Sequence, residues 1–263
     1  MHISFAGKKV RLLALAVCIF MIIFVSANWK LYLDPDLNLQ GGTLLFVLSL
    51  LAGPTAGFLI IFKPSVDQKY DYPPETILSH TFYMEKTEEF YKFYRDKMLA
   101  LDAKPNAAHL KLAELEAKGK LKAVVTQNID GLHQAAGSKN VLELHGSVHR
   151  NYCRKCGRLY DASYIKESTG VPKCACGGQI KPDVVLYEEG LDDVTMQSAI
   201  HFISQAEILI IGGTSLAVYP AAGLIDFYKG NKLVLINKSA TPLDRRADLV
   251  IQAPIGEVFQ QVC

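Results

Sequence analysis

Four cysteines in this chain are spaced as metal ligands are spaced. Cys153-x-x-Cys156, seventeen intervening residues and then Cys174-x-Cys176 supply two close pairs of thiols. Tetrahedral Zn²⁺ in a closed structural site takes four such thiolates. Gly157 follows the first pair and Gly177-Gly178 the second, which allows the tight turns that aim backbone N–H groups at sulfur. The second pair is one residue shorter than the usual C-x-x-C knuckle. Cys18 and Cys263 stand alone, so the clustering favours a metal, with two disulfides or inert thiols as the alternative. Four sulfur ligands leave no open coordination position, so the zinc holds structure and performs no chemistry.

Other candidate groups follow strand-like runs. Thr126-Gln127-Asn128-Ile129-Asp130-Gly131 comes directly after one, at the carboxyl edge where an open α/β sheet binds ligands. Its polar groups suit ribose hydroxyls and an amide, although an ordinary polar turn reads the same way. Leu144-His145-Gly146-Ser147 ends the next run, and an imidazole there suits a general base near neutral pH. On composition alone His133, His149 and His201 have equal claims. Gly212-Gly213-Thr214-Ser215 and Asn237 end two further runs, and the glycines permit close backbone approach to phosphate or ribose.

The elements that must position these groups are legible in the periodicity. From Glu75 to Gly119 the pattern is helical, with Phe90, Phe93, Tyr94 and Met98 at three- and four-residue steps. Short apolar runs then alternate with helical stretches: Ala123–Thr126, Val141–Leu144, Ile208–Ile211, Leu233–Ile236 and Leu249–Ile251. That alternation predicts an open parallel sheet covered by helices. Residues 152–179 interrupt it with cysteines and glycines and read as a small inserted module. The net charge is only +2, and no basic stripe interleaved with aromatics occurs, so nucleic acid is not an expected partner.

The first sixty residues differ in character. Two apolar runs, Leu12–Trp29 and Thr43–Phe62, are each long enough to cross a hydrocarbon core of ~30 Å. Lys8, Lys9 and Arg11 precede the first and Lys63 follows the second, while the link carries Asp34 and Asp36. The positive-inside rule then predicts a membrane hairpin over residues 10–62 with both ends in the cytoplasm. Two other readings stand beside it. The ending Val25-Ser26-Ala27 also suits a secretory signal peptide, and Gly53-Pro54 and Gly57 leave Phe58–Phe62 readable as a buried strand.

Thr126–Gly131, Leu144–Ser147, the four cysteines, Lys181-Pro182-Asp183-Val184-Val185, Gly213-Thr214-Ser215-Leu216 with Val218 and Pro220, and Asn237 occur in the order and spacing of the sirtuin family. The resemblance covers roughly residues 66–262 and looks closest to bacterial sirtuins. It implies a Rossmann-type α/β domain with a small zinc module, and a cleft between them for NAD and an acyl-lysine peptide. The implied activity is NAD-dependent protein-lysine deacylation, which releases nicotinamide and an O-acyl-ADP-ribose. His145 would be the base that deprotonates a ribose hydroxyl. Gln127, Asn128, Ile129 and Asp130 would hold nicotinamide and its ribose, and Gly212, Thr214, Ser215 and Asn237 the rest of the dinucleotide. Val184, Val185, Leu186, Tyr187 and Glu188, with Val218 and Tyr219, would flank the peptide and pair with it as added β-structure.

The chain departs from the family at one place. The family's first strand leads to a G-A-G-x-S loop and a G-I-P-x-F-R segment, and this chain has neither. The second apolar run and Lys63-Pro64 stand there instead. The expected organisation is thus a membrane hairpin over residues 1–64 and a sirtuin-like domain over residues 65–263 that lacks its first βα unit. The N-terminal segment is either a fusion, which anchors the domain on the cytoplasmic face of a membrane, or a gene-model artefact, in which case the protein is cytoplasmic. The missing loop opens a second functional reading, a catalytically silent remnant that binds peptide.

Overall fold

The structure, a computed structural model, describes residues 70–262 together with Leu45–Val47 and Leu59–Ile61. The chain divides into two compact units, Met1–Pro73 and Pro74–Cys263. In the first unit, β1 (Leu45–Val47) and β2 (Leu59–Ile61) pair antiparallel with Leu45 opposite Ile61. The second apolar run is therefore extended at these positions, which corrects the expectation of a membrane helix there. Gly53-Pro54 and Gly57 break the run, and its β-branched and aromatic residues favour strand. The remainder of the expected hairpin over residues 10–62 lies outside the described residues. Among the described residues no helix is long and apolar enough to cross a membrane.

The second unit opens with α1 (Pro74–Ile77), α2 (His80–Glu85) and α3 (Thr87–Phe93), continued by a π-turn over Tyr94–Met98. Ser79 caps α2, its hydroxyl accepting the Phe82 N–H at 3.1 Å. The aromatic periodicity resolves into a buried cluster of Tyr83, Phe90, Tyr91 and Tyr94. Tyr83 and Phe90 meet edge to face with centroids 5.0 Å apart, and such pairs add ~1 kcal/mol beyond burial. Next, α4 (Ala107–Ala117) starts at a capping box made by Asn106 and His109. Gly119, at φ 71°, ends this helical region as expected from the sequence.

From there strands and helices alternate: β3 (Val124–Thr126), α5 (Leu132–Ala135) and β4 (Val141–Glu143). The inserted module follows as β5 (Gly146–Cys153), β6 (Leu159–Tyr160), α6 (Ala162–Glu167) and β7 (Ile180–Val184), an antiparallel sheet of order β6-β5-β7. The chain closes with α7 (Asp193–Gln205), β8 (Leu209–Gly212), a 3-10 turn over Ala221–Phe227, β9 (Leu233–Asn237), β10 (Leu249–Gln252) and α8 (Ile255–Gln260).

The sequence predicts one parallel sheet, and among the described residues there are two parallel ladders, β3-β4 and β10-β9-β8. The resemblance to sirtuins would place a joining strand in the first βα unit, whose glycine loop the sequence lacks. Helices cover both ladders, which is why the strands read as nearly continuous apolar runs. On one side α4 packs on α8 around Ala108, Ile236 and Phe259. On the other, α7 and the 3-10 turn bury Leu144, Ala199, Ile203, Ala221 and Leu224.

The Leu144 cluster positions the site. Val125, which precedes the loop at 126–131, and Leu209, which precedes the turn at 212–215, both pack against it. Leu144 itself precedes His145, Leu191 follows the segment at 184–188, and Ala221 follows Val218 and Tyr219. Five segments named from the sequence are thus anchored to one hydrophobic cluster.

Candidate functional site

His145 stands at the end of β4, where the chain turns into β5. Gly146 makes that turn at φ 74°, and a Cβ there would collide with the carbonyl of Asp183. Arg150 braces the same corner. Its Nη1 donates to Glu143 and its Nε to Asp183, each at 2.7 Å, which ties β4, β5 and β7 together. Burial works against the charge of Arg150, but the two carboxylates outweigh it and raise the guanidinium's pKa further.

The imidazole of His145 lies with Nδ1 3.0 Å from the carbonyl oxygen of Gln127. A carbonyl only accepts, so Nδ1 carries the proton and Nε2 is left with a lone pair. The neighbouring loop is held just as firmly. Thr126 is buried, and its hydroxyl accepts the Asn128 N–H at 3.0 Å. Val148 N–H donates to the Ile129 carbonyl at 2.9 Å, and Asp130 accepts the Leu132 N–H at 3.0 Å. His149 uses Nε2 to donate to the carbonyl of Asp130, which assigns it a bracing part that composition could not separate from His145. His133 packs on His109 with centroids 4.6 Å apart, and burial pushes its pKa down.

Gly212, Thr214, Ser215 and Asn237 gather at the carboxyl ends of β8 and β9. Asn237 is buried and accepts the Thr214 N–H at 3.0 Å while donating to the Thr214 carbonyl at 2.7 Å. Its amide therefore shapes the turn that follows β8. Beside it opens a cavity of about 470 Å³ lined by Asn106, Gly213, Asn237, Lys238, Ile255 and Glu257 among others. The size suits a small-molecule site, and its position at the strand carboxyl ends is where open α/β sheets bind ligands. Sequence reasoning missed Asn106, Lys238 and the residues after β10. The carboxyl-edge rule, applied to the run Leu249–Ile251, would have reached the last of these.

Val184 ends β7 opposite Gly146, and the Val185 N–H donates to the His145 carbonyl at 3.1 Å. The candidate peptide strand is thereby tied to the candidate base. Leu186 is buried, whereas Tyr187 and Glu188 are exposed, as are Val218 and Tyr219. The backbone of Tyr187 is already engaged on both sides, its N–H donating to Leu78 and its carbonyl accepting from His80. A peptide adding to this edge must therefore use the groups beside Tyr187.

The four cysteines form one cluster. All four sulfurs lie within 4.8 Å of one another, with Cys153 and Cys176 at 3.5 Å and Cys156 and Cys174 at 3.6 Å. A tetrahedron with Zn–S bonds of ~2.3 Å has edges of ~3.8 Å, so the cluster fits zinc. The four are free thiols. The Cys176 N–H pulls the Cys174 thiol down to about 6, and Lys155 N–H donates to the Cys153 sulfur at 3.4 Å. Backbone donors thus favour thiolate at Cys153 and Cys174, whereas at Cys156 the neighbouring thiols outweigh the Arg158 N–H and push the pKa up to about 11.

Comparison with known proteins agrees with this geometry. Residues 64–220 match the profile described as the Sir2 family. A Clostridium acetobutylicum protein named NAD-dependent protein deacetylase is 65% identical over 195 residues, 73% of this chain and 80% of its own length. A Clostridium tetani protein of the same name is 58% identical, over 72% of this chain and 78% of that one. Among solved structures, one described as Sir2 with p53 peptide and NAD⁺ superposes with a TM-score of 0.68 at 41% identity, covering 73% of this chain and 84% of that one. Another, described as Sir2 bound to acetylated peptide, gives 0.67 at 42%, with 71% and 81% covered. A histidine held by a strand-end carbonyl, a four-thiol cluster, a cavity at the carboxyl edge and matches of this extent have one common explanation: the chain belongs to the Sir2 family.

Proposed function

We propose that the protein is an NAD-dependent protein-lysine deacetylase. The observation that carries this reading is the hydrogen bond between His145 Nδ1 and the Gln127 carbonyl, which leaves Nε2 free to take a proton. After the acyl oxygen has displaced nicotinamide from the ribose, Nε2 would take the proton of the ribose hydroxyl that attacks the imidate carbon. The loop Gln127–Asp130 holds the nicotinamide and its ribose, and the turn at Gly212–Ser215 takes the rest of the dinucleotide beside the cavity at Asn237. The segments Val184–Glu188 and Val218–Tyr219 flank an acyl-lysine peptide. Zinc at Cys153, Cys156, Cys174 and Cys176 supplies structure only. Incubation with NAD and an acetyl-lysine peptide should release nicotinamide and deacetylated peptide together, and His145→Ala should lower both by ~10²-fold or more. Deacetylation that survives His145→Ala would contradict the assignment.

A further inference from the structure

Glu188 is a residue with a Cβ held at φ 74°, in the left-handed region that side-chain-bearing residues seldom adopt. Such a conformation persists only where the surroundings impose it. Here the imposing group is Thr81, at the start of α2. Its N–H and its hydroxyl both donate to Oε2 of Glu188, at 2.9 Å and 2.7 Å. These donors also hold the Glu188 carboxyl below the usual carboxylate range, so it is ionised at neutral pH. Next to it His80 Nδ1 lies 2.9 Å from Glu189 Oε1, and Lys181 Nζ lies 3.1 Å from Glu189 Oε2.

The backbone of this segment shows what the arrangement serves. Val185 N–H is taken by His145, Tyr187 by Leu78 and His80, and Leu186 N–H by the Glu189 carboxylate at 2.9 Å. Among the described residues that leaves the Val185 carbonyl and the N–H and carbonyl of Glu188 without a protein partner. Glu188 is exposed. Its two backbone groups can pair with an incoming extended chain, and their direction is set by the backbone angles that the Thr81 contact fixes.

We propose that Thr81 and Glu188 form a clasp that presents the Glu188 backbone to the acyl-lysine peptide, making Thr81 a positioning residue for substrate binding; this rests on the deacetylase reading above. Thr81 touches no reacting atom. Its removal weakens peptide binding by letting Glu188 leave the left-handed conformation, while the zinc module and the NAD side of the cleft stay as they are.

The test is fluorescence anisotropy of a short labelled peptide with a central acetyl-lysine, titrated with the full chain in its zinc-bound form. Thr81→Val keeps the shape and removes the hydroxyl, and should weaken binding about fivefold. Thr81→Ser restores the hydroxyl and should restore affinity. Glu188→Ala removes the clasp from its other side, and the double variant Thr81→Val/Glu188→Ala should bind no worse than Glu188→Ala alone. Zinc content and melting temperature of all four should match the parent. Equal binding by Thr81→Val and the parent, additive losses in the double variant, or failure of Thr81→Ser to recover would each overturn the clasp. A parent chain that binds no acetyl-lysine peptide would overturn the deacetylase reading and the clasp with it.

Discussion

Nicotinamide release should rise by orders of magnitude when a complete first βα unit, with strand, G-A-G-x-S loop and helix, is placed ahead of Ser65. His145 and the loop at 126–131 are in place, so on the proposed reading the candidate base and the candidate ribose-binding loop are already provided. The missing part acts on the other side of the dinucleotide, where a glycine loop at a helix N-terminus offers backbone N–H groups to the pyrophosphate. Loss of one positioned donor costs on the order of 10²–10³ in rate at comparable anion sites, and here a whole loop and its supporting strand are absent. Lys63-Pro64 cannot replace that loop: proline has no N–H to donate and restricts the residue before it. The measurement compares the chain as it stands, the restored version and the restored version with His145→Ala. The gain should vanish in the last. Turnover by the unrestored chain equal to that of the restored one would show that its N-terminal segment already completes the site. A restored version that stays silent would favour a non-catalytic peptide-binding protein.

The second large effect concerns the metal. Purified protein should carry about one equivalent of zinc, and Cys153→Ala should release it and unfold the module over residues 146–184. Structural zinc binding is worth ~10–16 kcal/mol in small zinc-binding peptides, more than an insert of this size gains from packing. The damage should also spread to the helices ahead of the module. The Tyr91 hydroxyl donates to the carbonyl of Ile180, and Gln179 donates to the Tyr83 hydroxyl at 2.8 Å, so the aromatic cluster leans on β7. Metal analysis and near-ultraviolet circular dichroism would follow the two events together. Full zinc occupancy after simultaneous replacement of Cys153 and Cys174 would rule out the site.

Where local physics decided, the sequence was informative. The runs at Ala123, Val141, Ile208, Leu233 and Leu249 became β3, β4, β8, β9 and β10 because each is short, apolar and bounded by turn residues, although β8 and β10 stay largely exposed. Gly119 stopped the helical region for the reason that makes glycine legible anywhere, a positive φ at the helix end. The cysteine cluster was readable from spacing alone. Less legible were features set by distant partners. That Nδ1 of His145 faces the Gln127 carbonyl depends on β3 and β4 being neighbours, which no local pattern states. Asn237 looked like a nucleotide contact, and its amide proves to be committed to Thr214 from across the β8–β9 pair. Tyr187 likewise looked available to a peptide until its partners at Leu78 and His80 appeared from more than a hundred residues earlier. The expected helix over the second apolar run failed at Leu45–Val47 and Leu59–Ile61 because hydropathy reports burial without stating whether the buried backbone is helix or strand.

The division of the parallel sheet bears on how the protein behaves in concentrated solution. One sheet has two edges, and two ladders have four. Within the Pro74–Cys263 unit, β8 has a single strand neighbour, and Ile210 in it and Ile208 just before it are 45% and 51% exposed. An apolar strand with an unpaired row of amides and carbonyls is a template for pairing with another chain. Inside a complete sheet the same residues would have a strand beside them and helices above and below. On the proposed reading, a strand that restored the dinucleotide side of the cleft beside β8 would also cover this edge, along which copies of the chain can pair.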